Sequence, residues 1–184
     1  LAISDDALEP CLAANAWLAE RTVVHFSGSL VLAGAHGLHP LMSFGPELYA
    51  RATYRTIPFV EERGGLSFAD AFPQLPNPAW PLAPELKPLY HALCVLGGNF
   101  TTLLLAKVYE DFEGRLGLPR AVLGPYLEQV ARNAAAAGRR AMTGAFARGD
   151  RGTVARDLAA LEGDPYAAVY GAFAALFEPG EVRA

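Results

Sequence analysis

The chain has 184 residues, 52% of them hydrophobic and 18% charged, and a formal net charge of −4. This composition excludes a disordered or collagen-like chain and is typical of a globular protein with a real core. The acidic balance and the lack of a basic stripe argue against a nucleic-acid partner. The two cysteines, Cys11 and Cys94, lie in apolar helical patterns, which favours reduced thiols in a cytoplasmic protein.

The first third of the chain alternates between strand-like and helix-like patterns. Asp5 or Asp6 is placed to cap a helix over 6–20, because leucines recur there at helical spacing. The predicted strands are Leu1–Ser4, "RTVVHFSG" with a Ser-Gly turn at its end, a short strand near "GAHGLHP", and 52–62. This order predicts an α/β layer with an incomplete parallel sheet.

The remainder reads as a linker followed by helices. Residues 64–84 are rich in Pro and Gly and predict a linker or a draped loop. Every later segment has a helical pattern, with predicted helices over 85–115, 119–140, 151–162 and 165–178. We therefore expect an α/β domain over 1–63, a linker over 64–84 and an all-α domain over 85–184.

One helical stretch, Leu89–Ala106, is long and apolar enough to raise the question of a membrane span. Glycines and polar side chains, among them His91 and Asn99, interrupt it. These interruptions favour a buried helix in a soluble protein, without a membrane partner.

Polar residues recur along one side of this helix. Lys87, His91, Val95 and Asn99 are spaced four residues apart, so they lie near one face. One interpretation is structural, with Lys87 solvated and the other two as satisfied polar groups of the core. The other is catalytic, with His91 as proton donor or acceptor, Asn99 orienting a carbonyl and Lys87 supplying positive charge.

Two other kinds of site have weaker support. The pair His36 and His39 has a spacing that a metal could use, but no cysteine or carboxylate completes a ligand set, so no metal is predicted. Ser27 in "HFSGS" does not fit the G-x-S-x-G pattern of a hydrolase nucleophile.

Five sequence blocks together resemble a known family. They are "VVHFSGSL", "GLHPLMSF", "IPFV", "KPLYHALCVLGGNFTTLL" and "TGAFARGDRGTVARDL". In this order they resemble the Rossmann-like proteins with a helical C-terminal domain of the DUF2520 type. That group is related to pyrroline-5-carboxylate reductase, ketopantoate reductase and 6-phosphogluconate dehydrogenase.

The resemblance implies an NAD(P)-binding domain, a helical domain that forms a homodimer, and a small-molecule site between them. His91, Asn99 and Lys87 would be the catalytic residues. The cofactor side would be lined by Ser4, Asp5, His25, Ser27 and Gly28. The substrate side would be lined by His39, Thr143 and Arg148. Arg148 could hold a carboxylate in a bidentate pair, although Gly149-Asp150 also reads as an ordinary helix stop and cap.

The sequence departs from such a family in one respect. No G-x-G-x-x-G occurs in the 184 residues, whereas a dinucleotide site of this kind needs a glycine-rich turn before a helix. We expect the first strands and the phosphate loop to lie upstream of Leu1, and NAD or NADP to bind the longer protein. The alternative is a non-catalytic binding or dimerising module that keeps the fold.

Overall fold

The structure is a computed structural model that describes residues 1–177. It divides into two compact units, Leu1–Lys107 and Val108–Ala184. The boundary between the units lies further along the chain than the predicted linker at 64–84. The predicted domains over 1–63 and 85–184 stay a prediction.

The first unit combines short strands with helices. Its elements are α1 (Asp5–Ala14), β1 (Val24–His25), β2 (His36–Pro40), α2 (Arg51–Tyr54), β3 (Phe59–Glu62), α3 (Phe68–Ala71), β4 (Ala79–Leu82) and α4 (Lys87–Val95). A π-helical turn (Leu96–Phe100) follows α4 and leads into α5 (Thr101–Gly114). Single 3-10 turns lie at Ala16–Glu20 and Pro84–Leu86.

The four strands form one sheet in the order β1-β2-β3-β4. β1 pairs with β2 in parallel, with Val24 opposite His36. β3 runs antiparallel to β2, with His39 opposite Val60, and β4 is parallel to β3. The sheet is thus mixed and not purely parallel as predicted, while the α/β class with a helical part is confirmed.

Three predicted strands differ from the structure, and of "RTVVHFSG" only Val24–His25 forms a strand. Residues 1–4 form no strand, although the amino group of Leu1 donates to the carbonyl of Val24 at 2.5 Å. In the predicted strand 52–62, only β3 is extended, and α2 occupies its first half. The physical reason is a tertiary contact, because the Asn77 amide donates to the carbonyls of Tyr54 and Ile57 at 2.7 and 2.9 Å and so satisfies the end of α2.

The Pro- and Gly-rich segment is more ordered than a linker. The Ser67 side chain caps α3 by accepting from the Asp70 amide. Phe68 on α3 is 2% exposed and packs on Phe59, with ring centroids 4.2 Å apart. This aromatic contact holds the segment against the sheet and lets β4 pair with β3.

A small core lies beneath α1. Its buried residues are Leu8, Val23, Leu32 and Ala35, and four half-buried leucines pack around them. By the usual value of about 25 cal/mol per Å², burying each such side chain contributes roughly 1.5–3 kcal/mol. This cluster fixes α1 beside β1, which positions the residues that follow β1.

The long helix is less buried than predicted. Residues Pro84–Gly114 form a continuous helix that is long and apolar enough, by length and composition alone, to cross a membrane. None of the residues in its most apolar window is buried. Its first turn nevertheless packs inside the unit, because Lys87 is 4% exposed. A core helix of a soluble protein passes the same test of length and composition.

The described part of the second unit contains helices and no strand. After the end of α5 come α6 (Leu123–Ala137), α7 (Gly144–Arg148), α8 (Arg151–Ala160) and α9 (Tyr166–Leu176), with 3-10 turns at Arg120–Val122 and Gly138–Ala141. The predicted helices are confirmed within a few residues, and α7 was missed. The Asp150 carboxylate caps α8, as predicted, by accepting from the Thr153 amide at 2.9 Å.

Candidate functional site

A cleft of about 1110 Å³ in the first unit brings together three of the predicted site residues. His39 comes from β2, His91 from α4 and Asn99 from the π-helical turn, and all three line this cleft. Tyr90 and Cys94 line it as well, and leucines and Met42 supply apolar walls. A concave, largely apolar cleft with a few convergent polar groups is the usual form of a small-molecule site.

The π-helical turn explains why Asn99 reaches the cleft. Residues Leu96–Phe100 accommodate one residue more than an α-helical turn would. Residues on either side of the turn are therefore in a different rotational register from that of a straight helix. Gly97 and Gly98 lie in this turn, and a Cβ on either would meet no atom within 4 Å. The predicted four-residue stripe was based on a regular α-helix, which this turn interrupts.

Gly28 lies at the point where both imidazoles approach the chain after β1. A Cβ there would lie 2.9 Å from Cδ2 of His91 and 3.0 Å from Cδ2 and Nε2 of His39. Real Cβ atoms almost never come that close to another atom. The two histidines can approach this backbone only because residue 28 has no side chain.

His39 and Tyr90 form a hydrogen-bonded pair. Nδ1 of His39 lies 2.7 Å from the Tyr90 hydroxyl. The pKa of His39 is lowered mainly by burial and to a smaller extent by the neighbouring His91. The pKa of Tyr90 is raised mainly by burial and to a smaller extent by a hydrogen bond to Cys94. Both shifts favour the neutral forms. In the tautomer that fits, the phenol donates to Nδ1 and the proton of His39 sits on Nε2, beside Gly28.

A buried ion pair ties α4 to the sheet. Nζ of Lys87 donates to Oε1 of Glu62 on β3 at 2.5 Å, and the two side chains are only 5% and 10% exposed. Gly37 on the neighbouring β2 makes room for the pair, because a Cβ there would collide with both Oε1 of Glu62 and Nζ of Lys87. Lys87 is therefore neither solvated nor among the residues that line the cleft.

The same carboxylate lies near His25, which is fully buried on β1. The Ser27 amide donates to Nδ1 of His25, so a neutral His25 carries its proton on Nε2. Nε2 lies 3.8 Å from Oε1 of Glu62 and has no hydrogen-bond partner among the described residues. The pKa of His25 is lowered mainly by burial and to a smaller extent by the charge of Lys87. This unsatisfied donor costs about 1–3 kcal/mol.

The other predicted cofactor residues form a hydrogen-bonded turn. The hydroxyls of Ser27 and Ser29 both donate to Oδ2 of Asp5, at 2.7 and 3.1 Å. The amide of Leu30 donates to the Ser27 hydroxyl. These bonds join the start of α1 to the turn after β1. Ser4 precedes α1 as its cap residue but makes no side-chain capping bond.

The predicted site residues thus fall into separate groups. His39, His91 and Asn99 share the cleft, with Gly28 beside the two histidines. His25 and Lys87 lie around Glu62, while Thr143 and Arg148 belong to the second unit. The catalytic, cofactor and substrate roles given to these residues from the sequence stay predictions.

Two residues of this region escaped the sequence analysis. Tyr90 was given no role, yet it lines the cleft and bonds to His39. Glu62 was not singled out either, because its buried partner Lys87 lies 25 residues further along the chain. Among residues 1–177, no three His, Cys, Asp or Glu side chains group closely enough to hold a metal ion.

The sequence matches the family model called domain of unknown function (DUF2520) over residues 66–176, which is more than half of the chain. The chain belongs to this family. No curated protein matches it significantly in sequence.

Two solved structures share the fold. One is "putative NADP oxidoreductase BF3122" from Bacteroides fragilis, with a TM-score of 0.75 and 21% identity, covering 96% of this chain and 73% of that one. The other is protein TM1727 from Thermotoga maritima, with a TM-score of 0.72 and 21% identity, covering 98% and 76%. At this identity the similarity establishes the fold, a Rossmann-like sheet with a helical part.

Replacing Gly37 by alanine should destabilise the first unit. The new methyl group would push Glu62 and Lys87 apart, and overpacking of this kind costs about 1–3 kcal/mol. Urea unfolding followed by tryptophan fluorescence measures the loss. Gly45→Ala is the matched control, because a Cβ there meets only the Tyr49 hydroxyl, at 4.0 Å, and should change stability by less than about 0.5 kcal/mol. Equal stability of the two variants would contradict the tight packing around Gly37.

The free energy of unfolding should fall as the pH is lowered from 7.5 to 5.5. The pKa values of His25 and His39 lie below 6.5 in the folded protein, so the unfolded chain binds protons first on acidification. Stability is therefore full above the unfolded pKa and decreases below it. His39→Gln removes one of the two groups and should show a smaller decrease. A stability that is unchanged or higher at pH 5.5 would contradict the burial of these histidines as neutral groups.

Proposed function

We propose that this chain provides the substrate side of an NAD(P)-dependent oxidoreductase that acts on a small carbonyl, imine or hydroxy-acid substrate. The observation that supports it most is the cleft in which His39, His91 and Asn99 converge beside the bare backbone of Gly28. The name of the B. fragilis protein points to NADP as the cofactor. The wider relationship to 6-phosphogluconate dehydrogenase and pyrroline-5-carboxylate reductase, and a cytoplasmic location, belong to the same proposal.

The residues present fit one end of such a cofactor. Because the hydroxyls of Ser27 and Ser29 already donate to Asp5, the Asp5 carboxylate and the Ser29 oxygen offer acceptors for an amide or a ribose hydroxyl, next to Gly28. The two serines follow β1, at the sheet edge where open α/β sheets bind ligands, and Asp5 at the start of α1 is bonded to them. No glycine-rich phosphate loop occurs in the 184 residues, so the chain alone should bind the dinucleotide weakly. NADPH supplies a hydride when it is bound.

The chain's own residues would handle the proton. A carbonyl that is reduced gains a proton on its oxygen, and His91, which lines the cleft, would deliver it from its imidazole. Asn99 would orient the substrate through its side-chain amide. His39 would keep its proton on Nε2 because Tyr90 bonds to Nδ1. Lys87 would not touch the substrate. Its bond to Glu62 would instead hold α4, and with it His91, in position.

Calorimetry with NADPH and NADH, on this chain and on the protein as its gene encodes it, tests the proposal. We expect the encoded protein to bind NADPH, and a screen of small oxo, imino and hydroxy acids to reveal turnover. His91→Ala should lower kcat by about 10²–10⁴-fold with cofactor affinity unchanged. His36→Gln is the control, because His36 does not line the cleft. Absence of dinucleotide binding by both proteins would refute the oxidoreductase proposal.

A second candidate is a homodimer that forms through the long helix, with or without catalysis. Five of its apolar side chains are 49–59% exposed and recur at alternating spacings of four and three residues: Leu89, Leu93, Leu96, Phe100 and Leu103. Up to the π-helical turn and again beyond it, the spacing of Leu89, Leu93 and Leu96, and of Phe100 and Leu103, is that of a helix face that packs against another helix. An exposed apolar row of this size usually marks an interaction site.

Analytical ultracentrifugation tests the dimer. We expect the 19.6 kDa chain to sediment as a dimer at micromolar concentration. Leu89→Asp, which places a charge in the row, should yield monomers. The matched control is Leu48→Asp, since Leu48 is 89% exposed and outside the helix, and this variant should remain dimeric. A monomeric wild type, or a dimeric Leu89→Asp variant, would exclude this interface.

A further inference from the structure

A second cavity, of about 410 Å³, lies in the first unit beside α2. It is formed where the two parallel strands end, because Phe26 follows β1 and Pro40 is the last residue of β2. Ligands of open α/β sheets bind outside the carboxyl ends of such strands. The cavity shares only Phe44 with the cleft of His39 and His91. It is therefore a separate space whose role the proposed oxidoreductase does not explain.

The floor and walls of this cavity are apolar and fixed. Ile57 is 3% exposed, and Phe59 packs on the buried Phe68. The Asn77 amide holds the carbonyls of both Tyr54 and Ile57, so the segment between them has little freedom to move. A rigid apolar floor lowers the entropic cost of binding a flat ring.

Two arginine side chains line the same cavity. Arg51 begins α2 and Arg55, with helical backbone angles, directly follows its last residue, so the two residues are four apart and lie on one side of the helix. Both are exposed, and within residues 1–177 neither guanidinium has a hydrogen bond or an ion pair. Although the chain carries a net charge of −4, no carboxylate within residues 1–177 pairs with these arginines. A guanidinium fork binds the paired oxygens of a carboxylate or phosphate.

We propose that this cavity is a binding site for a small oxyanion with a flat apolar body, such as an aromatic carboxylate. The ring would lie over Ile57 and Phe59, and the oxyanion would bridge Arg51 and Arg55. A volume of about 410 Å³ is within the usual range for small-molecule pockets. The proposal is independent of the dinucleotide, because none of these residues lines the cleft.

Calorimetric titration of the 184-residue chain with 2-naphthoate tests this site. We expect saturable binding, and at least a tenfold weaker affinity for neutral 2-naphthamide, which has the same ring without the charge. Arg51→Ala/Arg55→Ala should weaken 2-naphthoate binding at least tenfold, and its exposed position should spare the fold. Arg63→Ala is the matched control, since Arg63 is also exposed but does not line the cavity, and it should bind normally.

A parallel titration with 2-naphthyl phosphate identifies the preferred oxyanion. Tighter binding of either anion supports the site and assigns its ligand to the carboxylate or the phosphate class. Three results would overturn the proposal: no saturable binding of either anion, equal affinity for the neutral amide, or an unchanged affinity in the double arginine variant. The outcome does not depend on whether NADPH binds, so its failure leaves the proposed oxidoreductase untouched.

Discussion

The buried pair of Glu62 and Lys87 connects the sheet to the helix on which the candidate site depends. Glu62 lies on β3 and Lys87 in the first turn of α4, one turn before Tyr90 and His91. Two charges that lose their water are stable only when they meet closely, and removing one partner of such a pair typically costs about 3–5 kcal/mol. The helix therefore has one favourable position against the sheet.

This position determines the geometry of the cleft. With α4 held at its start, His91 meets Gly28, and Tyr90 meets His39 at 2.7 Å. Two glycines make this approach possible, Gly37 beneath the ion pair and Gly28 beneath the imidazoles. At both places a methyl group would separate the sheet from the helix. The lack of a side chain at Gly37 and Gly28 thus allows the ion pair and the two imidazoles to pack closely against the backbone.

The sequence allowed the prediction of some of this arrangement. The helical pattern of "KPLYHALCVLGGNF" placed His91 and Asn99 on one helix, and the resemblance to the DUF2520 family directed attention to both. The strands were harder, because β1 has only two residues and α2 interrupts an otherwise strand-like pattern through its bonds to Asn77. The π-helical turn has no simple sequence signal beyond its paired glycines. Glu62 was missed because its partner is 25 residues away, and such a pair is visible only after folding.

Histidine side-chain NMR gives the most direct test of the central claim, that the Glu62–Lys87 pair positions the histidines of the cleft. The chain has four histidines, so each imidazole can be assigned. Glu62→Gln keeps the shape of the side chain and removes its charge. We predict that the imidazole signals of His39 and His91 shift in this variant, in addition to that of His25, which lies beside Glu62. Unchanged signals of His39 and His91 would contradict the claim and would reduce the ion pair to a local feature of the sheet.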